Sequence, residues 1–259
     1  MRDLVLITGA SSGLGYNMAL RLAERKYDLI LVARNYQKLE EFKQELQSKH
    51  SVEVYTFGSD LSNTDNAVSL YNKITELGLD VTMLVNNAGV GHYGMFTNAS
   101  VHEDLSVIEL NISSVVVLTK LFAKEMCHKK RGKIMNVASL LSYLPLPYLS
   151  VYSATKSFIL AFTECLQAEL ENDNITVTAV CPGPIDTGFQ SKEISNTYAY
   201  RLNRASTPES VASTAVKHLL NGKGTKIIGP YNWFLVFLTR ITPVALMLRI
   251  RKILGSQHQ

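Results

Sequence analysis

A parallel α/β sheet with helices on both faces is the fold class the sequence predicts, and three observations predict it. Short apolar runs alternate with segments of helical periodicity along nearly the whole chain. Most of these runs are apolar throughout rather than at every second residue, as strands buried on both faces require. A glycine-rich turn follows the first run and opens the first helix, where sheets of this class turn the chain toward a ligand.

The first strand, residues 4–8, reads Leu-Val-Leu-Ile-Thr. Residues 13–26 then place Leu14, Met18, Leu22 and Ala23 at helical spacing. A second strand at 29–32 precedes a polar, amphipathic helix at 36–49. Residues 52–57 alternate as a strand, 66–77 return to helical spacing, and 81–85 form a fourth, buried strand. A long helix at 112–130 leads to a strand at 133–138, and a helix at 152–171 to a strand at 175–180. A helix at 210–220 precedes a last short strand at 226–229. Right-handed crossovers between about seven such strands leave a crevice at their carboxyl ends.

Bulk properties narrow the function classes. At 259 residues, with no internal repeat or low-complexity linker, the chain reads as a single domain with a substantial core. Residues 1–230 carry the alternating strands and helices, and 231–259 read as an apolar, basic extension. The net charge of +4 is too small to point to nucleic acid, and no cluster of basic and aromatic residues supplies such a site. Cys127, Cys165 and Cys181 form neither a disulfide framework nor a metal spacing, and read as reduced, buried thiols. His92, His102, His128 and His218 show no metal spacing either. The first strand begins at once, leaving no room for a signal peptide, so a cytoplasmic location is expected.

The first crevice loop is Thr8-Gly9-Ala10-Ser11-Ser12-Gly13-Leu14-Gly15. Glycines permit a sharp turn and close backbone approach, and free amides at the helix start favour an anion, so this loop is read as cradling a dinucleotide phosphate. After the second strand stands Ala33-Arg34-Asn35, without the carboxylate that would accept a ribose hydroxyl. Arg34 offers a planar fork of donors suited to a 2′-phosphate, which favours NADP(H) over NAD(H), although Ser12 holds the loop position where a second cation would strengthen that preference. Asp60-Leu61 ends the third strand, with the carboxylate toward an adenine or capping the next helix, a task for which Asn63 or Thr64 is better placed. Asn86-Asn87-Ala88-Gly89 ends the fourth, in a position for both interstrand bonds and cofactor contact.

Between Ser139 and Lys156 a hydroxyl ends an apolar run and a proline-broken segment follows. Tyr152 and Lys156 then stand four apart on a predicted helix, on one face. A free phenol has a pKa near 10, and an adjacent ammonium favours the phenolate. Lowering the value by ~3 units needs about 4 kcal/mol of differential stabilisation. With 12 tyrosines in the chain, the pair by itself is a weak signal.

Taken together, Thr8-Gly9-x-x-x-Gly13-x-Gly15, Asn86-Asn87-Ala88-Gly89, Asn111, Ser139, Tyr152-x-x-x-Lys156 and Pro182-Gly183-Pro184-Ile185-Asp186-Thr187 resemble the short-chain dehydrogenase/reductase family in order and separation over residues 1–230. Ala33-Arg34 resembles its NADP-preferring branch, and the general character is similar to DltE-like oxidoreductases, hydroxysteroid dehydrogenases and 3-oxoacyl reductases. The resemblance implies a Rossmann-type sheet and hydride transfer between NADP(H) and a carbonyl or alcohol carbon, with no metal. It implies Tyr152 as general acid or base, and Lys156 as the cation lowering its pKa and holding the nicotinamide ribose. Ser139 is then a donor to the substrate oxygen and Asn111 the holder of a relay water. Gly9, Ser11, Ser12, Gly13, Leu14, Gly15, Arg34, Asp60, Leu61, Asn87, Ala88, Gly89, Pro182, Gly183, Ile185 and Thr187 become the cofactor contacts. The residues alone leave other roles open: Ser139 as a cap, Asn111 as a helix N-cap before Ile112, and the whole chain as a catalytically idle NADP-binding sensor or scaffold.

Substrate selectivity is expected from residues 91–100, 140–151 and 189–204. Leu140, Leu141, Tyr143, Leu144, Leu146 and Tyr148 read either as an apolar wall for a hydrophobic substrate or as core beneath the loop. From Asn221 onward no acidic residue occurs, while residues 233–254 are mostly aliphatic and aromatic. Arg240, Pro243 and Arg249 interrupt that stretch, which is too broken to span a bilayer. It reads as a helix pair on an acidic membrane, as a cover for the substrate entrance, or as the contact of a homodimer or homotetramer.

Overall fold

The computed structural model describes residues 2–187 and 192–257. A parallel seven-stranded sheet forms its centre, in the order β3-β2-β1-β4-β5-β6-β7. These are β1 (Leu4–Thr8), β2 (Asp28–Ala33), β3 (Val54–Gly58), β4 (Val81–Asn86), β5 (Gly132–Val137), β6 (Ile175–Cys181) and β7 (Gly224–Ile227). The chain runs outward from β1 to β3, returns to β4 beside β1, and runs outward again. This reversal opens a crevice at the carboxyl ends of β1 and β4.

The alternation of strand side chains produces the two cores. Val5, Ile7, Leu29, Leu31 and Val85 pack under α1 (Gly13–Ala23), α2 (Tyr36–His50) and α9 (Pro208–Asn221). Leu4, Leu6, Ile30, Leu84 and Ile134 pack on the other face, against α3 (Thr64–Glu76) and α5 (Ser114–Lys129). Strands buried on both faces explain the nearly unbroken apolar runs.

The helix predicted at 112–130 begins earlier than its periodicity implied. α4 (Val101–Ile108), started by a Ser100–Glu103 capping box, continues through one π-helical turn (Glu109–Ser113) into α5. The extra residue of that turn changes the helical phase, which hides the first half from a simple periodicity. The run Val101–Lys129 is long and apolar enough to cross a membrane, but it buries Leu118, Phe122 and Met126 in the core. The last helices are α6 (Ser150–Leu170), the short α7 (Lys192–Ser195) and α8 (Tyr198–Leu202), then α10 (Pro230–Ile241) and α11 (Val244–Gly255). β7 begins two residues before the predicted strand. Cysteine burial is only partly as expected: Cys181 is buried, Cys127 half-buried and Cys165 exposed, because Cys165 falls on the solvent side of α6.

A buried amide ladder ties the sheet to the helices beside the crevice. Asn86 Nδ2 donates to Thr119 Oγ1 (2.9 Å) and Asn136 Oδ1 (2.8 Å), and Asn136 Nδ2 donates to Thr163 Oγ1 (2.9 Å). Asn136 is completely buried. Replacing it with leucine leaves partners on both sides unsatisfied, at a cost of roughly 2–4 kcal/mol. Urea unfolding of Asn136→Leu should show that loss as a lowered midpoint with an unchanged m-value.

Candidate active site

The crevice is a single cleft of about 530 Å³ running from the first glycine loop to the C-terminal helices. At the loop end, Thr8 Oγ1 accepts from the amides of Asn87 and Ala88, each at 3.0 Å. Asn87 Nδ2 donates back to the carbonyls of Thr8 (2.8 Å) and Gly9 (3.2 Å). The two strand ends lock so closely that side chains are excluded. Gly9 has φ +68, and a Cβ there would lie 2.9 Å from Ala88 Cα. One on Gly15 would lie 2.3 Å from the Gly9 carbonyl oxygen. Ser12, the N-cap of α1, makes no capping bond, whereas Asn35, Asn63, Ser100 and Thr207 cap α2, α3, α4 and α9. With Ser12, Gly13 and Leu14 lining the cleft, the first turn of α1 is left for an anion.

Arg34 lines the same end beside Asp60. Asp60 does not cap α3, because Asn63 does so by accepting from Asp65 N. Its carboxyl is instead held below the usual range, chiefly by the Ser62 hydroxyl (2.7 Å), with Arg34 contributing. The loop after β6 crosses over the glycines, bringing Thr187 to where a Cβ on Gly13 would meet it at 3.1 Å. Every residue expected to contact a cofactor lines the cleft except Gly15, which lies beneath the loop it supports.

At the middle of the cleft, Ser139 starts a 3-10 turn (Leu140–Ser142), its Oγ accepting from Leu141 N at 3.1 Å. The turn is clamped to α6, as Ser142 Oγ donates to the Lys156 carbonyl (2.7 Å) and Ser157 Oγ to the Ser142 carbonyl (3.1 Å). Ser139 thus caps a turn and also hydrogen-bonds the Tyr152 side chain. Lys156 Nζ donates to the Val137 carbonyl at 2.8 Å and lies 5.8 Å from the Tyr152 ring centroid. Gly91, which the sequence reading passed over, backs the ring: a Cβ there would lie 2.6 Å from Tyr152 Cδ2. The Gly89-x-Gly91 spacing was the available signal.

Two expectations are corrected here. The acidified phenol is not what the geometry produces. Burial pushes Tyr152 up to about 12, opposed only by the Ser139 bond, and pushes Lys156 down to about 8. Both charged forms lose water on burial, which disfavours each. The N-cap alternative for Asn111 also fails. Asn111 sits in the π-helical turn, 1% exposed, with Oδ1 accepting from Val90 N and Nδ2 donating to Val90 O and Thr155 Oγ1. Its side chain fixes the segment after β4 at Val90, within reach of the space beside Lys156 Nζ.

The far half of the cleft is apolar. Leu141, Leu144 and Leu146 line it, but Tyr143 packs with Val115 and Ile159, and Tyr148 turns away to stack near Tyr93 at 5.5 Å. Tyr148 takes φ +66, so its side chain leaves the wall. Ile194 and Leu202 close the opposite side; the expected loop at 189–204 begins with residues 189–191, outside the described ones. Tyr231, Leu235 and Leu254 of the last two helices also line this half; the sequence offered that segment as a cover for the entrance without singling out these residues. Among the described residues no group of histidine, cysteine and carboxylate side chains is placed to hold a metal.

Residues 3–197 match the family model described as short chain dehydrogenase. The ketoacyl reductase HetN of Nostoc sp. (strain PCC 7120 / SAG 25.82 / UTEX 2576) is 30% identical over 92% of this chain and 82% of its own length. A very-long-chain 3-oxoacyl-CoA reductase of Phaeosphaeria nodorum is 31% identical over 84% of this chain and 68% of its own. Among solved structures, a short-chain dehydrogenase from Sphingobium yanoikuyae in complex with NADPH superposes with a TM-score of 0.80. It is 27% identical over 96% of both chains.

The buried ammonium has a stability signature. A lysine lowered from 10.5 to about 8 opposes folding by about 3 kcal/mol below pH 8, and this penalty fades as the pH rises toward 10.5. Lys156→Met, which gives up the Val137 bond and the contact with the Tyr152 ring in return, should be more stable than the parent at pH 7. Denaturant midpoints measured from pH 7 to 10 should converge.

Proposed function

Because the chain belongs to the short chain dehydrogenase family, oxidoreductases that bind NAD(P)(H) and act on carbonyl or alcohol carbons, we propose that it is an NADPH-dependent reductase of hydrophobic carbonyl compounds. The observation that carries this reading is the meeting of the Ser139 and Tyr152 hydroxyls midway along one cleft, between an anion-ready loop and an apolar end.

The residues present fit the dinucleotide. The uncapped first turn of α1 and the glycine cradle would hold the pyrophosphate, and Arg34 a 2′-phosphate on the adenosine ribose. Lys156 would hold the nicotinamide ribose. When bound, the cofactor supplies the hydride.

The protein supplies the proton. With Tyr152 at about 12, the phenol is protonated at neutral pH and serves as the general acid for a developing alkoxide. Ser139 donates to the same oxygen, a bond that strengthens as charge accumulates there. Loss of the proton leaves a phenolate beside the Lys156 ammonium, so their attraction is strongest after transfer and lowers the barrier. Asn111 acts behind these groups as a positioning residue. The apolar half of the cleft suits an oxoacyl chain or a compound of similar hydrophobicity, the class named for two of the relatives.

Tyr152→Phe should lower kcat for NADPH-dependent ketone reduction by roughly 10²–10⁴-fold while leaving NADPH affinity intact. Unchanged turnover would overturn the proton-transfer role. Because Lys156 loses its charge above about pH 8, the parent's kcat should decline as the pH rises through that value. Arg34→Ala should weaken NADPH binding roughly 10–100-fold and leave NADH binding almost unchanged, as titration calorimetry would show.

A further inference from the structure

We propose that the exposed face of α10 and α11 docks on an anionic lipid bilayer. On α10, Trp233, Phe234, Phe237 and Ile241 are exposed; Phe237 follows the adjacent Trp233 and Phe234 by four and three residues and Ile241 follows Phe237 by four, so all four share one side of the helix. Trp233 is 60% exposed, and its ring lies 6.0 Å from that of Phe237, nearly parallel at 7°. Val244 and Leu248 extend the apolar surface along α11. A soluble surface seldom presents so many large apolar side chains together.

The opposite sides of these helices are fastened to the domain. Val236 and Met247 are buried. Asn232 donates to the Ile228 carbonyl (2.6 Å) and accepts from Asn203 (2.7 Å). Tyr93 Oη donates to the Gly255 carbonyl at 2.7 Å. The apolar face is therefore held in place rather than carried on a loose tail.

Charge selects the occupant. Arg240, Arg249 and Lys252 are exposed on the same two helices, and no aspartate or glutamate occurs after Asn221. Two copies of this face pressed together would double the positive charge, with no carboxylate from either segment to neutralise it. A bilayer offers an apolar interior beneath lipid phosphates, which accommodates aromatic residues and cations at once. Tyr231, Leu235 and Leu254 of the same helices line the cleft, so docking sets its apolar end beside the lipid.

Trp233 is the only tryptophan in the chain, so its fluorescence reports this face directly. The full chain should cosediment with phosphatidylcholine–phosphatidylglycerol vesicles, with blue-shifted Trp233 emission quenched by brominated lipid, and should stay in solution with phosphatidylcholine alone. Replacing Arg240, Arg249 and Lys252 together by glutamine should reduce partitioning roughly 100-fold. Phe234→Ser/Phe237→Ser/Leu248→Ser should abolish it, with circular dichroism and dinucleotide binding verifying the fold. Equal pelleting with neutral vesicles, no pelleting with either, or an unaffected charge variant would each overturn the proposal. So would a blue shift that follows protein concentration alone and accompanies dimer sedimentation, which would assign the face to a second copy. These readouts measure binding, so they stand or fall apart from the proposed reaction.

Discussion

Lys156 carries an ammonium into a place almost without water, and its hydrogen bond to the Val137 carbonyl ties the start of α6 to the end of β5. An isolated buried cation would be expelled or neutralised. Here it remains because a carbonyl and the face of the Tyr152 ring surround it, and because α6 is clamped to the turn after Ser139 by two hydroxyl bonds. The same clamps bring Ser139 to the phenol. A group that weakens the fold thus decides where the reactive groups stand, a conflict between stability and activity common at functional sites.

A second constraint concerns closeness of backbones. The loop after β1 and the end of β4 touch main chain to main chain, secured by Thr8 and Asn87, and no side chain fits at Gly9 or Gly15. This leaves an uncapped helix terminus open to the cleft. The cradle and the Ser139–Tyr152–Lys156 group lie at the same edge of the sheet because parallel strands all end there.

The apolar half of the cleft is assembled differently. Its walls come from the segment after β5, from α7 and α8, and from α10 and α11, held together by the Asn203–Asn232 pair and by Tyr198 N donating to the Ser256 carbonyl. A Cβ on Gly183 would lie 2.5 Å from Asn232 Nδ2, so the loop crossing the cofactor end abuts the start of α10. The apolar wall and the loop crossing the glycines are mechanically one piece.

Apart from α4, α7 and α8, the order of strands and helices, the glycine cradle and the Tyr152–Lys156 pairing were readable in the chain. Each depends on local periodicity or on residue types that only certain backbone shapes accept. Arg34 in place of a carboxylate was equally visible. The direction of the Tyr152 shift was not, since desolvation is set by everything that packs around the ring, including Gly91 from the segment after β4. The N-cap alternative for Asn111 could not be dismissed from sequence, because a π-helical turn carries the helix through that position and shifts its phase. Nor could sequence divide Leu144 from Tyr148, or show that Leu235 and Leu254 reach the cleft. Those outcomes depend on contacts between segments remote along the chain, and only the folded arrangement fixes which side chains face solvent, core or ligand.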